Sequence, residues 1–244
     1  MATKTEPKVY EIKAPQFDTI KVKIVGDTPL IVHAWDAKAK REILEKEVFG
    51  KAVKKREAKE PIRDFAASMY WLTPMPDELD AENIGKAFEK GARFGFPTTA
   101  IKQCAINAAY RLGWAKDKAS LRPAFQIIAD AHGYYGGELV INHEKESIDI
   151  IPNMFKPYDM CEIISDPPVM REDMVKVMNG AADIRYRGEF QNWSIILTVQ
   201  YNKNGQYSAK DILNIIQAGG YACGIGEWRT ERDGVNGQFH IETN

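Results

Sequence analysis

Apolar and polar positions alternate in two separated stretches of the chain. Residues 20–24 read Ile-Lys-Val-Lys-Ile, and residues 193–201 carry an apolar side chain at every second position. A period of two is typical of a strand that buries one face. We therefore predict a strand near each end of the chain, and a short apolar run at 30–35 indicates a third extended segment.

Helical spacing and helix-end signals fall between these strands. Residues 101–112 have apolar side chains at offsets of 0, 3, 4, 7, 8 and 11, and Gly113 follows as a stop signal. Another helix should begin at Ser208, whose spacing to Asp211 resembles a capping box, and should end at Gly219–Gly220. Two shorter helices are predicted to begin at Pro61 and after Asp80.

The length of 244 residues favours one large domain with insertions. We predict a tail or arm at 1–18 and a single domain at 19–244. Residues 36–64 contain ten Lys or Arg and seven Asp or Glu, with only a broken apolar stripe. Such a composition is typical of an exposed helical arm rather than of core, so an insertion is expected at about 36–64.

Composition restricts the classes of function. Hydrophobic residues make up 44% and charged residues 27%, as in folded globular proteins. The formal net charge is −1, so attraction to nucleic acid must come from a local patch. The start of the chain lacks an export signal, and no apolar run is long enough to cross a membrane. Three widely spaced cysteines indicate neither a disulfide framework nor a zinc site, which fits the cytoplasm.

Motifs that would indicate an enzyme or a cofactor site are missing. The sequence has no Gly-x-Ser-x-Gly, His-Glu-x-x-His, Walker or dinucleotide-binding pattern, so we predict no enzyme, no cofactor and no bound metal. His33 and Asp36 follow the apolar run at 30–35 and are the remaining candidates for metal-assisted hydrolysis. A single histidine in an apolar run is more often a packed or hydrogen-bonded residue.

Arginine, tryptophan and glycine cluster on both sides of the last predicted helix. If the flanking strands pair, guanidinium groups would meet phosphates and indoles would stack on bases. The alternative is that Trp193 is core and the arginines pair with nearby carboxylates. The glycine-rich run 219–229 is either a tight return or a phosphate-binding loop. The candidate nucleic-acid-binding residues here are Arg185, Arg187, Trp193, Gly224, Gly226, Trp228, Arg229 and Arg232.

A second candidate surface is the basic run within the charged insertion. It could follow a phosphate backbone, in which case binding would weaken as salt increases. Its interspersed glutamates fit an ordinary solvated helix equally well. The residues concerned are Lys51, Lys54, Lys55, Arg56 and Lys59.

Several segments together resemble a known superfamily. A strand beginning at Arg185–Trp193, the run Gly224-Ile225-Gly226-Glu227-Trp228-Arg229 after a helix, and Gly237–Phe239 resemble the RAMP superfamily. Val25–Leu30 is similar to the first strand and turn of CRISPR effector backbone subunits in that superfamily. The resemblance implies an α+β, ferredoxin-like (RRM-like) antiparallel sheet with helices on one face and a charged helical insertion after the first strand. It also implies that Gly224, Gly226 and Arg229 contact nucleic-acid backbone.

These observations predict a non-enzymatic protein that binds single-stranded RNA or DNA and assembles side by side along the strand. It would be a homo-oligomer or a ribonucleoprotein subunit in the bacterial cytoplasm, either part of a CRISPR system or a stand-alone relative from a phage or mobile element. One alternative is a structural assembly protein, such as a virion component, with no role in nucleic-acid binding. The other is a metal-dependent RNA nuclease that uses Asp36 or His33.

Overall fold

The computed structural model describes residues 14–51, 58–133, 138–151, 156–176 and 182–243. They form a mixed α+β fold of antiparallel sheets and six α-helices. The strands are β1 (Phe17–Gly26), β2 (Leu30–Val32), β3 (Phe94–Pro97), β4 (Phe125–Ile128), β5 (Ala131–Gly133), β6 (Glu138–Asn142), β7 (Ser147–Ile151), β8 (Lys156–Ser165), β9 (Val169–Lys176), β10 (Ala182–Phe190), β11 (Trp193–Asn202) and β12 (Phe239–Ile241). The helices are α1 (Ala37–Phe49), α2 (Pro61–Ala67), α3 (Ala81–Glu89), α4 (Thr98–Arg111), α5 (Lys118–Leu121) and α6 (Ala209–Ala222). No described helix is long and apolar enough to cross a membrane.

The two strands predicted from alternation are confirmed, and they are neighbours in the main sheet. β1 and β11 pair antiparallel, with Val22 opposite Leu197, and β12 pairs with the other edge of β1. β11 also pairs with β4 and β8, and β8 continues to β3 and β5. Ile24, Leu197 and Val199 are fully buried in one core with side chains of α4 and α6.

Helices α4 and α6 pack closely through small side chains. A Cβ atom on Gly219 would lie 3.2 Å from backbone atoms of Ala105, and the Cys104 thiol donates a hydrogen bond to the Gly219 carbonyl over 3.2 Å. On α6, a Cβ atom on Gly220 would lie 1.8 Å from the Phe239 carbonyl oxygen in β12. The prediction that these glycines end α6 is therefore wrong. They lie inside the helix because neighbouring backbone leaves no room for a side chain.

The prediction of one strand through Arg185–Trp193 is also wrong, because β10 ends at Phe190 and a separate strand, β11, begins at Trp193. β10 belongs to a separate three-stranded sheet in the order β2-β10-β9, whereas β11 is central in the main sheet. The segment after α6 forms a short 3-10 helix at Thr230–Arg232 rather than a strand. The last strand pairs with β1 and not with β11. The two arginine and tryptophan groups therefore do not meet through strand pairing.

The charged segment after β2 begins as a helix, as predicted. Asp36 caps α1 by accepting a hydrogen bond from the Lys38 amide, and Gly50 ends the helix in a left-handed conformation. Ala37 is its only buried residue, and α1 lies against the β6–β7 hairpin. The basic residues Lys54, Lys55 and Arg56 fall outside the described residues, as does most of the predicted tail.

The capping box predicted at the start of α6 is present and offers a first test. The Ser208 hydroxyl accepts from the Asp211 amide, and the Asp211 carboxylate accepts from the Ser208 amide over 2.9 Å. We expect Ser208→Ala to lower the free energy of unfolding by about 1 kcal/mol, since it removes the acceptor for a helix-end amide. The control Ser208→Gly should cost only a few tenths of a kcal/mol. Equal losses for the two variants, measured by urea unfolding, would contradict the capping role.

Candidate functional site

Two adjoining clefts share His33 at the end of β2. The first, called here the loop cleft, has a volume of about 310 Å³ and lies between the segment after α6 and the start of α4. The second, called the lysine cleft, has a volume of about 160 Å³ and lies between α2 and β10. Side chains that line the loop cleft include Tyr70, Phe96, Gln103, Asn107, Glu227, Arg229 and Glu231. Those of the lysine cleft include Asp36, Lys59, Asp64, Arg185 and Tyr186.

The glycine-rich loop that borders the loop cleft is held by its own backbone. The amides of Gly224, Ile225 and Glu227 donate to protein carbonyls over 2.9 Å each. Gly226 has φ of +79°, and a Cβ atom there would lie 2.4 Å from the Ile31 carbonyl oxygen in β2. The sequence left open whether this loop is a tight return or a phosphate-binding loop. Because these amides already donate to carbonyls of the protein, they support the tight return. The phosphate-binding alternative would have to use side chains.

Glu227 projects from this loop toward His33 and is partly exposed. Its Oε1 lies 3.8 Å from His33 Nδ1, and its Oε2 lies 3.5 Å from Arg187 Nη2. His33 is the main partner that holds the pKa of Glu227 below its ordinary value, against the opposing effect of burial, and Arg187 and Arg229 add to the lowering. The carboxylate is therefore ionised at neutral pH and offers acceptors to the cleft.

Behind Glu227, a buried ion network joins the loop to the β9–β10 ribbon. Arg187 is only 2% exposed and donates from Nη1 to Asp173 Oδ2 over 2.9 Å. Arg171 bridges Asp173 and Glu189 over 2.8 and 2.6 Å. Burial alone would raise the pKa of Asp173, but hydrogen bonds from Arg171, Arg187 and Trp228 outweigh it and hold the pKa below its ordinary value.

Two groups in the loop cleft that could act as nucleophiles are protonated at neutral pH. Burial, with a smaller contribution from the Glu227 carboxylate, raises the pKa of Tyr70 to about 12. Burial likewise raises the pKa of Cys104 well above its ordinary value. A neutral phenol and a neutral thiol form weak nucleophiles, so these side chains supply packing and hydrogen bonds to the cleft.

The structure brings some of the predicted binding residues together and separates others. Lys59 and Arg185 line the lysine cleft, while Gly224, Gly226 and Arg229 line the loop cleft. Trp228 (38% exposed), near the end of the loop, and Arg232, just beyond it, lie on the surface. Lys51 lies apart from them, with its ammonium group against the Glu146 carbonyl and 5.5 Å from the Phe49 ring centroid.

Arg187 and Trp193 are corrections to the predicted set. Arg187 is enclosed by its carboxylate partners, and Trp193 is 3% exposed in the core, where its indole donates to the Thr28 carbonyl over 2.8 Å. Neither side chain can reach a polymer on the surface, because both are buried and their polar groups already bond to partners inside the protein. The sequence also allowed an alternative in which Trp193 is part of the core and the arginines pair with carboxylates. That alternative is correct for Trp193 and Arg187.

The cations that do reach the clefts also have carboxylate neighbours. Lys59 lies 3.6 Å from Asp64 and 3.5 Å from Asp183, and Arg185 lies 3.7 Å from Asp183. Arg229 contacts Glu231 over 3.1 Å. The Lys59–Asp64 pair is partly exposed and therefore weak, so a phosphate could replace Asp64 as a partner of Lys59.

The candidate metal ligands have other contacts. Asp36 caps α1, and its Oδ2 lies 3.6 Å from Arg63, while His33 faces Glu227. Among the described residues, no group of three or more His, Cys, Asp or Glu side chains could hold a metal ion.

Sequence reasoning missed the wall of the loop cleft opposite the glycines. Tyr70 comes from the segment after α2, Phe96 from β3, and Gln103 and Asn107 from α4, and these segments share no motif. Only the helical spacing of Gln103 and Asn107, on one face of α4, could have grouped two of them. No protein-family model matches the chain, and no curated protein is significantly similar to it.

Proposed function

We propose that the protein binds single-stranded nucleic acid without cleaving it. The observation that carries the proposal is the pair of clefts that meet at His33, because their linings differ in chemistry. Beside two carboxylates, Asp36 and Asp64, the lysine cleft offers two cations suited to phosphate oxygens. The loop cleft offers aromatic and amide groups suited to a base. An unpaired strand needs both kinds of contact side by side, whereas a duplex hides its bases.

We further propose that the main sheet is the ferredoxin-like core of a RAMP-type domain. In the order β12-β1-β11-β4, the strands alternate with α4, between β1 and β4, and with α6, between β11 and β12. This is the βαββαβ arrangement, with long insertions after β1 and β4. The arrangement supports the superfamily resemblance, and with it the assembly of copies along a strand, either as a homo-oligomer or within a ribonucleoprotein.

The proposed phosphate contacts can be tested by removing two charges. We expect the double variant Lys59→Gln, Arg185→Gln to weaken binding to a fluorescently labelled U-rich RNA oligomer and to flatten the salt dependence of that binding. Each lost phosphate contact should reduce the slope of log affinity against log salt by about 0.7, so the pair should reduce it by roughly 1.4. The measurement is fluorescence anisotropy across a series of salt concentrations.

The matched control is Lys116→Gln, Lys210→Gln, which removes two exposed lysines that line neither cleft. Both variants change the net charge equally, so a general field effect would act on them alike. If the control lost as much affinity and salt slope as the test variant, the lysine cleft would have no specific role. The same assay with DNA oligomers compares the two polymers.

A second candidate function is assembly between copies without nucleic acid. β9 is an edge strand of its three-stranded sheet, and the β9–β10 ribbon carries exposed apolar side chains, among them Met174 at 77% exposure. Exposed edges and apolar patches favour association. Light scattering on protein freed of nucleic acid by high salt distinguishes the two functions. A structural subunit would assemble in that state, and a nucleic-acid binder would require added oligomer.

A further inference from the structure

We propose that the loop cleft takes a guanine base of the bound strand, and that Glu227 recognises it. The inference rests on the proposed function and goes beyond it by assigning a base preference to one cleft. It follows from the size of the cleft, the charge of its lining, and the difference between its two carboxylates in the contacts they make with other side chains.

Size and wall chemistry suit a planar ring. The volume of about 310 Å³ lies at the lower end of the range of about 300–1,000 Å³ typical of small-ligand sites. Tyr70 and Phe96 stand edge to face, with ring centroids 6.2 Å apart. Phe96 is only 4% exposed, so the aromatic surface that the wall offers to a ligand is mainly that of Tyr70. Unstacked bases in single strands are commonly held against aromatic side chains of this kind.

The charge of the lining disfavours a phosphate in this cleft. Two carboxylates, Glu227 and Glu231, face one guanidinium, Arg229, and the remaining polar side chains include the neutral amides of Gln103 and Asn107. A phosphate here would meet net negative charge, whereas a neutral base with donor groups would meet acceptors. The lysine cleft has two cations and two carboxylates in its lining, so a phosphate meets no excess of negative charge there and is better placed in it than in the loop cleft.

Glu227 and Glu231 differ in how closely their carboxylate oxygens bind other side chains of the protein. Glu231 accepts from Asn107 over 2.9 Å and pairs with Arg111 and Arg229 over 3.1 Å each. The contacts of Glu227 with His33 and Arg187, at 3.8 and 3.5 Å, are longer than ordinary hydrogen bonds. The oxygens of Glu227 therefore keep acceptor capacity for a ligand.

Guanine is the base whose edge matches such a carboxylate. Its N1–H and its N2 amino group are adjacent donors, so both can bond to the two oxygens of one ionised carboxylate. Adenine and cytosine each place an acceptor beside their amino donor, and uracil flanks its one N–H with two carbonyl acceptors. A bidentate contact of this kind discriminates by about 1–3 kcal/mol, or roughly 5- to 150-fold in affinity.

The test uses one purified protein and a set of labelled 12-nucleotide RNAs. Each RNA is oligo-U with a single central guanine, adenine, cytosine or inosine, or with uracil throughout. We expect the guanine oligomer to bind at least fivefold more tightly than the others. Inosine keeps N1–H but lacks the amino group, so its oligomer should lose most of the preference. This comparison needs no variant, so it stands even if a substitution impairs folding.

Glu227→Gln supplies the second arm, because an amide presents a donor where the carboxylate presented an acceptor. The variant should lose the preference for guanine, so that it binds the guanine oligomer no more tightly than it binds oligo-U. Glu82→Gln, at an exposed position on α3, is the control and should retain the preference. Equal binding of all oligomers, or a preference for another base, would overturn the guanine assignment but leave the binding function intact. Binding to none of them would overturn the binding function itself.

Discussion

Replacing Arg187 with methionine is expected to lower the free energy of unfolding by about 2–3 kcal/mol, because the buried Asp173 carboxylate then loses a charged hydrogen-bond partner and keeps only Arg171 as an ionic partner. Arg187 and Asp173 are 2% and 7% exposed, and their direct contact is 2.9 Å long. Methionine has a similar length and no charge, so the loss reports the ion pair more than a cavity. Urea unfolding at neutral pH measures the change.

Arg185→Met is the control, since this arginine lies two residues away on the same strand, is partly exposed and makes only a 3.7 Å contact with Asp183. Its loss should stay within about 1 kcal/mol. Combining Arg187→Met with Asp173→Asn should cost less than the sum of the two single changes, because each single change already removes the same Arg187–Asp173 contact. Additive losses would show that the two side chains do not interact.

The same network predicts an acid dependence with a defined sign. Because the folded pKa of Asp173 is lowered, its contribution to stability is fully present above the unfolded pKa. It is lost progressively as the pH falls from there through the folded pKa. Arg187→Met removes part of this lowering, so the stability of the variant should fall less steeply with acid than that of the natural chain.

Gly220→Ala is expected to destabilise the fold by roughly 2–3 kcal/mol or more, since the added methyl group overlaps backbone. Its Cβ atom would lie 1.8 Å from the Phe239 carbonyl oxygen, and that oxygen belongs to β12 rather than to a flexible side chain. Either α6 or β12 must move, and both help to enclose the core. Thermal unfolding together with urea titration would measure the loss.

Gly85→Ala is a matched control in another helix, α3. Nothing lies within 4 Å of the position that its Cβ atom would occupy. Alanine should therefore stabilise the protein by about 0.5–1 kcal/mol, because it restricts the unfolded chain and favours the helix. If Gly220→Ala stabilised the protein as Gly85→Ala is expected to do, helix propensity rather than packing against β12 would govern position 220.

Local signals predicted the elements well. The alternation at 20–24 and 193–201, the helix that ends before Gly113, and the caps at Asp80 and Ser208 are all confirmed. Each of these depends on residues within a few positions of one another, so the sequence pattern is sufficient. By the same measure, the charged composition after residue 36 correctly indicated an exposed helix in α1.

Predictions that depended on distant partners failed. Arg187 and Trp193 are six residues apart in the chain, yet they belong to different sheets because β10 pairs with β2 and β9. The glycines of α6 resemble a helix end until the position of β12 is known. The lining of the loop cleft could not be predicted for the same reason, since Tyr70, Gln103 and Glu227 are distant in sequence and meet only in the folded chain.

The sequence alone determined several of the strands and helices, where some of them begin and end, and that any attraction for a polyanion must be local. Tertiary structure decided which charged groups are enclosed and which face a cleft. The reason is physical: periodicity and capping depend on neighbours along the chain. Burial and ion pairing depend on backbone brought together from positions far apart, as when residues 173, 187 and 227 join in one network.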